Sequence, residues 1–393
     1  ERGGRVDSSL REKLQQHKLV PAIDQCLTVA GSVTQASLRD RAREILDGEP
    51  RFQLLRSALP SLDQLLNAFY AMPLAPALAF KLTVAREQRP EIYEHSLQMT
   101  LIALFLAIKS RLPDRDLAAV AAAGMLHDIG ELHIDPELLR PGRRLEAADL
   151  RHVYAHPMTA YLILQEYPPY HPEISSAVFE HHERLDGSGY PRGLKGEEIG
   201  PVGQILMLAE AVTTLFEKSW RTHGASRLSV MLKMNRHKFN PELIDLLVGL
   251  LHGGEPRGLD SLGEVSAEAV VAQLDQLAEI FRNWHGAYQG CSVDTPKIAE
   301  APLVAFVNLR ISGLEQTLLE TGFHPDELAA LAAGIENDAV ALAEMQLMVR
   351  ESRWQVSDIL NEVRRRWTEL QADAAGRALV EEWIGRTEAL LQG

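Results

Sequence analysis

Apolar residues in this chain recur at spacings of three and four, and nowhere do they alternate with polar residues over a strand-length run. That period gathers side chains on one face of an α-helix and cannot line one face of a sheet. The expected fold class is therefore all-α. Glycine and proline set the breaks. Gly31-Ser32 and Asp47-Gly48 separate helical text over 9–30, 34–47 and 51–71, and Pro73, Pro76 and Pro90 mark 73–90 as a junction and not one straight helix. Helices are then expected over about 90–111, 114–127, 146–166, 172–184 and 200–218, with an irregular glycine-rich loop across 183–200. Two short helices around Asn240-Pro241 close the middle of the chain over 225–252. After Gly253-Gly254 the text over 263–287, 301–320, 326–351, 353–372 and 374–391 reads as long amphipathic helices. The division that follows is an N-terminal helical region over 1–88, a central domain over 89–252 and a C-terminal helical bundle over 260–393, suited to packing, dimerisation or sensing.

Hydrophobic residues make up 46% of the chain, enough for a large core. No run of roughly 18 or more apolar residues is present, so no membrane span is expected. The opening Glu1-Arg2-Gly3-Gly4-Arg5 lacks the apolar stretch of a signal peptide. Cys26 and Cys291 are the only cysteines, which fits a reducing compartment and gives a cytoplasmic expectation. The formal net charge of −14 opposes binding to a nucleic-acid polymer or an anionic membrane. A small anionic ligand stays compatible with it, because bound metal ions reverse the field locally.

Histidine is distributed unevenly: eight of the 14 fall between His95 and His182. Five clusters stand out along the helical text, namely Glu91 with His95, His127-Asp128, His156-Pro157, His181-His182, and Glu210. All offer imidazole or carboxylate and none offers thiolate, a donor set that suits iron, manganese or zinc in a reactive site and argues against structural zinc. Glu91 and His95 lie four apart and so share a helix face. Adjacent His127 and Asp128 would point about 100° apart on a helix. They can serve one centre only at a helix end, which Gly130 suggests, or if the aspartate bridges two metals. His181-His182 raises the same problem and takes the same answer, so more than one metal is expected.

These motifs resemble a known family. His127-Asp128-Ile129-Gly130 is similar to the doublet that names the HD phosphohydrolases, and His181-His182-Glu183-Arg184-Leu185-Asp186-Gly187-Ser188-Gly189-Tyr190-Pro191 resembles the extended HD-GYP signature along its length. Leu138 to Gly142, His156-Pro157, Gly193 to Ile199 and Phe239 to Leu243 agree with it. The resemblance covers about 160 residues. It implies an all-α HD fold holding two or three divalent transition metals, often iron or manganese, that hydrolyses cyclic di-GMP or a related cyclic dinucleotide to pGpG or GMP with a metal-bridged hydroxide. Carried over by motif, the metal ligands are His95, His127, Asp128, His156, His181, His182 and Glu210, with Asp128 as the bridging carboxylate and the His127-Asp128 pair at the catalytic centre. Glu91 matches the extra glutamate of three-metal members. The loop of Asp186, Gly187, Gly189, Tyr190 and Pro191 is implied to touch partners such as diguanylate cyclases. It is also readable as a tight turn capped by Asp186.

The chain departs from the family pattern around the metals. Glu131 stands where a phosphate-binding lysine follows the HD motif, Glu210 replaces aspartate, Thr213 replaces a further aspartate and Gln204 replaces arginine. Glu217 to Thr222, which include Lys218 and Arg221, replace a more basic segment. Glu131, Thr213, Lys218 and Arg221 are the positions expected to face substrate. Asp135, Glu183 and Asp186 are candidates for orienting the ligand imidazoles, with Asp186 read first as the cap or turn residue of its loop. Glu131 could also coordinate a metal or pair with Arg143 or Arg144. Three readings follow: a cyclic di-GMP phosphodiesterase acting as a homodimer, a metal-loaded but weakly catalytic signalling scaffold, and a phosphohydrolase for another phosphoester.

Overall fold

In a computed structural model, the described residues are 31–140, 147–170, 172–252, 267–320, 339–367 and 370–392. Among them there is no β-strand, only an isolated bridge between Asp186 and Lys195, so the fold is all-α. The chain divides into two compact units, residues 1–213 and 214–393, with the division falling inside one long helix.

The first unit opens with α1 (Gln35–Gly48), α2 (Pro50–Ala58), α3 (Asp63–Ala71), α4 (Pro76–Gln88), α5 (Pro90–Lys109) and α6 (Asp114–Leu126). Thr34 begins α1 with a reciprocal capping box to Ser37. Residues 51–71, read above as one helical stretch, divide into α2 and α3 around Pro60. The junction over 73–90 holds a full helix, because Pro76 and Pro90 each sit in a first turn, where the missing N–H costs nothing. Every residue of α5 from Ser96 to Ala107 is buried, the signature of a helix apolar all round at the centre of a core. It packs on α6, itself buried from Val120 to Leu126. The two approach closely at Gly124, where an added Cβ would come within 2.6 Å of Thr100 Oγ1.

A 3-10 turn over Ile129–His133 leads on to α7 (Ala147–Val153), α8 (His156–Gln165) and α9 (Pro172–Glu180). The expected single helix over 146–166 is two helices. The break is at Tyr154-Ala155, because Pro157 has no N–H to continue α7 and fits only a new first turn. The long helix α10 (Pro201–Met234) crosses the division between units and runs on past 218. Helix α11 (Pro241–His252) follows a 3-10 turn at Arg236–Lys238.

In the second unit, α12 (Ala267–Asp294), the single-turn α13 (Pro296–Ala299), α14 (Pro302–Glu320), α15 (Ala339–Arg366) and α16 (Ala374–Gln392) form a bundle. Its core includes Trp284 and Trp383, edge to face with ring centres 5.2 Å apart, among Val307, Ile311, Val356 and Val363. The two helices expected over 326–351 and 353–372 are one helix where described, and 326–338 lie outside the described residues. The expected helix over 9–30, with Cys26, also lies outside them. No single described helix is long and apolar enough to cross a membrane. The bent pair α3 and α4 meets that test only jointly, and its Leu65, Leu66, Phe69, Leu78 and Leu82 are buried in the core.

Candidate metal centre

Five helical elements of the first unit deliver their polar residues to one place. His95 stands on α5, His127 at the C-cap of α6, His156 at the start of α8, His181-His182 just past the end of α9, and Glu210 in the third turn of α10. Asp128 has φ −99° and ψ 12°, the sparsely populated bridge region where many active-site residues sit. That break in helical geometry lets neighbouring His127 and Asp128 face the same centre. Gly130 makes a different contribution from the one expected. It is not a left-handed C-cap but lies inside the 3-10 turn, where a Cβ would overlap the His156 carbonyl oxygen. Its missing side chain allows the His127-Asp128 segment to approach the start of α8.

Asp128 sits between two groups of ligands. Its Oδ2 is 3.1 Å from His127 Nε2 and 3.8 Å from His95 Nε2. Its Oδ1 is 3.3 Å from His156 Nε2 and 3.6 Å from His181 Nε2. Glu210 Oε2 closes the first group, 2.8 Å from His95 Nε2 and 3.6 Å from His127 Nε2. His182 joins the second: one donor atom each from Asp128, His156, His181 and His182 lie within 4.8 Å of one another. One donor each from His95, His127 and Asp128 do the same.

Three of the imidazoles are fixed by backbone. His127 Nδ1 donates to the Gly124 carbonyl at 2.7 Å, His156 Nδ1 to Val153 at 2.8 Å and His181 Nδ1 to Val178 at 2.6 Å. A carbonyl can only accept, so each Nδ1 carries a proton, which leaves Nε2 as the ring atom that can ligate a metal. Asp135 and Glu183, candidates for orienting these rings, bond elsewhere, while Asp186 takes the turn role read for it from the sequence. Asp135 accepts from the Glu137 amide and Asp186 from the amide and hydroxyl of Ser188. Fully buried Glu183 accepts from the amides of Arg192 and Leu194. Those contacts, with Glu180 receiving Arg192 and the Gly200 amide, pin the loop over 183–200. Gly187 adopts φ +79°, as a tight turn requires, and a Cβ on Gly189 would overlap the Glu183 backbone. The result is that Tyr190 lies over His182, ring centres 4.6 Å apart and 22° from parallel. Pro191 follows it in a cis peptide.

The electrostatics follow from burial and proximity. Burial alone would raise Asp128, but the nearby charges of His127 and His156 outweigh it and hold Asp128 well below the usual carboxylate range. Glu210 is likewise held low, against its burial, by His95 and His127. Burial lowers His127, but Asp128 and Glu210 overcome it and push it up to about 10. His182 is pushed down to about 3 by burial, and His181 falls well below its ordinary value by burial and its histidine neighbours. Metal suits this donor set. His127 Nε2 and Asp128 Oδ1 are buried with no hydrogen-bond partner, a costly state for a polar core that a cation would relieve.

Of the remaining expected site residues, Glu91 and Thr213 fall elsewhere. Glu91 is 62% exposed at its side chain and paired with Arg89 at 2.5 Å, outside both ligand groups. Thr213 is fully buried and donates its hydroxyl to the Ala209 carbonyl at 2.7 Å, so it does not face a substrate. Lys218 and Arg221 lie on α10, but their side chains, like Arg143 and Arg144, are outside the described residues. Glu131 is half-buried beside the cluster. Burial first, and the Asp128 charge second, push it up to about 7. Sequence reasoning missed Gly124, whose small size lets α5 and α6 bring His95 and His127 together. Its signal was a glycine in the alanine-rich text three residues before His127.

The sequence matches the family model described as an HD domain over residues 81–243. It is 31% identical over 162 residues to cyclic di-GMP phosphodiesterase PA4108 of Pseudomonas aeruginosa, covering 40% of this chain and 38% of that protein. It is 32% identical over 121 residues to 3′3′-cGAMP-specific phosphodiesterase 3 of Vibrio cholerae, covering 31% of this chain and 26% of that one. The chain thus spans less than half the length of these curated relatives. Among solved structures, Bd1817, an HDG"Y"P protein from Bdellovibrio bacteriovorus, aligns with a TM-score of 0.39 at 19% identity, over 56% of this chain and 70% of that one. The match to the HD domain lies over residues 81–243.

Proposed function

We propose that this protein is a metal-dependent phosphodiesterase that opens a cyclic dinucleotide, cyclic di-GMP in the first place. The observation that carries the reading is the Asp128 carboxylate, one oxygen turned to His95 and His127 and the other to His156 and His181. A carboxylate divided in this way is the ligand two cations share. His95, His127 and Glu210 would hold one and His156, His181 and His182 the other, with iron or manganese suited to the N/O donors. Divalent metals supply water of lowered pKa and neutralise phosphoryl charge, the two needs of phosphodiester hydrolysis. The protein's own share is positional: backbone carbonyls hold three imidazoles in the ligating tautomer, and the pinned loop sets Tyr190 over His182. The printed names of the relatives support a cyclic dinucleotide as the substrate class.

One observation favours a second reading, a metal-loaded signalling scaffold of weak activity. Glu131 places a carboxylate beside the cluster where the resemblance expects a phosphate-binding lysine. Homodimerisation through 260–393 and docking of a diguanylate cyclase on the loop Asp186–Pro191 belong to either reading. The deciding experiment is to load the full chain anaerobically with iron or manganese, incubate it with cyclic di-GMP and with 3′3′-cGAMP, and chromatograph the products. Linear dinucleotide or mononucleotide is expected. Two bound metals with no product from either substrate would leave only the scaffold or another phosphoester.

A further inference from the structure

A line of three rings leads outward from the metal centre. Tyr190 stacks on His182, and Tyr154 stacks on the other face of Tyr190 with ring centres 4.3 Å apart, 26° from parallel. Both faces of Tyr190 are therefore covered. Tyr154 ends the stack and is 38% exposed. It is placed there by the break between α7 and α8, two residues before the ligand candidate His156. Met158 and Leu162 follow at four-residue spacing, 41% and 57% exposed, so an apolar strip begins at the stack and runs along α8.

We propose that Tyr154 is a base-stacking residue, whose outer ring face receives a purine of the nucleotide presented to the metal centre. This rests on the cyclic-dinucleotide reading above and specifies how that ligand is gripped. The ring is within two stacking distances of His182, so a nucleotide whose phosphate is at the cluster has its base in reach of it. Aromatic stacking requires no cation. It gives affinity beside the carboxylates of Asp128, Glu131 and Glu210, where a second anion meets repulsion. The platform is also rigid before ligand arrives: the Tyr190 amide donates to the His182 carbonyl at 3.1 Å, and Tyr190 backs Tyr154 from beneath. A tyrosine that merely covered Tyr190 could be replaced by any apolar side chain of similar bulk, whereas a stacking platform requires an aromatic ring.

The test uses the metal-loaded full chain, its Tyr154→Leu and Tyr154→Phe variants, and two probes: cyclic di-GMP, and an analogue with one guanine replaced by fluorescent 2-aminopurine. Tyr154→Leu is expected to weaken binding of the analogue and raise KM for cyclic di-GMP by roughly 5- to 100-fold, the range base–aromatic stacking supplies. Its kcat and metal content should stay near those of the parent, and the quenching of 2-aminopurine on binding should be lost. Tyr154→Phe should restore affinity and quenching. Unchanged affinity in Tyr154→Leu overturns the proposal, and so does a joint fall of kcat and metal content, which would make Tyr154 only a support for His182. If the parent protein binds neither probe, the cyclic-dinucleotide reading itself fails and this inference with it. The binding arm needs no turnover, so a scaffold that binds without cleaving is still tested.

Discussion

Replacing Glu131 with glutamine is expected to stabilise the metal-free protein at pH 8 and to leave it unchanged at pH 4. Burial and the neighbouring Asp128 charge lift Glu131 from an ordinary 4.5 to about 7. Below pH 4.5 the folded and unfolded chains both hold the proton, and the group contributes no difference. Between about 4.5 and 7 the unfolded chain releases the proton while the folded chain keeps it, so stability falls as pH rises. Above 7 both are ionised, and a constant deficit on the order of 1–3 kcal/mol remains in the folded state. Glutamine keeps the shape and cannot ionise, so the gain from Glu131→Gln should grow through this window and then level off. The assay is urea unfolding of chelator-treated protein and variant at several pH values, compared as a difference so that the rest of the cluster cancels. A difference that does not change with pH would refute the burial argument. With metals restored, Glu131→Lys should bind cyclic di-GMP at least tenfold more tightly, since about 1.4 kcal/mol of favourable charge suffices. Loss of metal in that variant would instead make Glu131 a ligand.

Asp128→Asn should lower metal content by at least one ion per chain while helicity by circular dichroism is retained, because a neutral amide is a poor ligand to share between two cations. Glu91→Ala should leave metal content unchanged by elemental analysis, since its carboxylate is exposed and paired with Arg89; a loss of one ion would restore it as a ligand. Gly130→Ala should cost about 1–3 kcal/mol in urea unfolding, because its Cβ would overlap the His156 carbonyl oxygen. A neutral result would mean that the turn and α8 can separate freely.

Helical period was a sufficient guide to the fold class, since each element of the first unit has to bury an apolar face on a neighbour. The breaks were less legible, because proline carries two meanings. At Pro76, Pro90 and Pro157 alike it lies in the first turn of a new helix, so one residue marks both a break in the text and a helix start. The expected division between 351 and 353 is absent, because Ser352 is buried and returns its hydroxyl to the Met348 carbonyl inside a continuous helix.

The ligand types were legible because chemistry restricts them to a few side chains. What holds them was not, because in three cases it is backbone. The carbonyls of Gly124, Val153 and Val178 each lie three residues before a histidine and receive its Nδ1 proton. Any residue supplies a carbonyl, so no sequence letter marks that role. Glu183, an acidic residue suited to that role, holds the loop instead. Glycine carries the rest of the hidden information. Gly124 and Gly130 are needed for what they lack, one where α5 meets α6 and the other where the turn meets α8. Both approaches converge on Asp128. Because three of the rings are held by backbone, exchanging a neighbouring charge such as Glu131 for lysine is expected to leave those rings in place. On the proposed function, metal binding and ligand affinity are then expected to vary independently. The test of that independence is whether Glu131→Lys changes ligand affinity while metal content stays fixed.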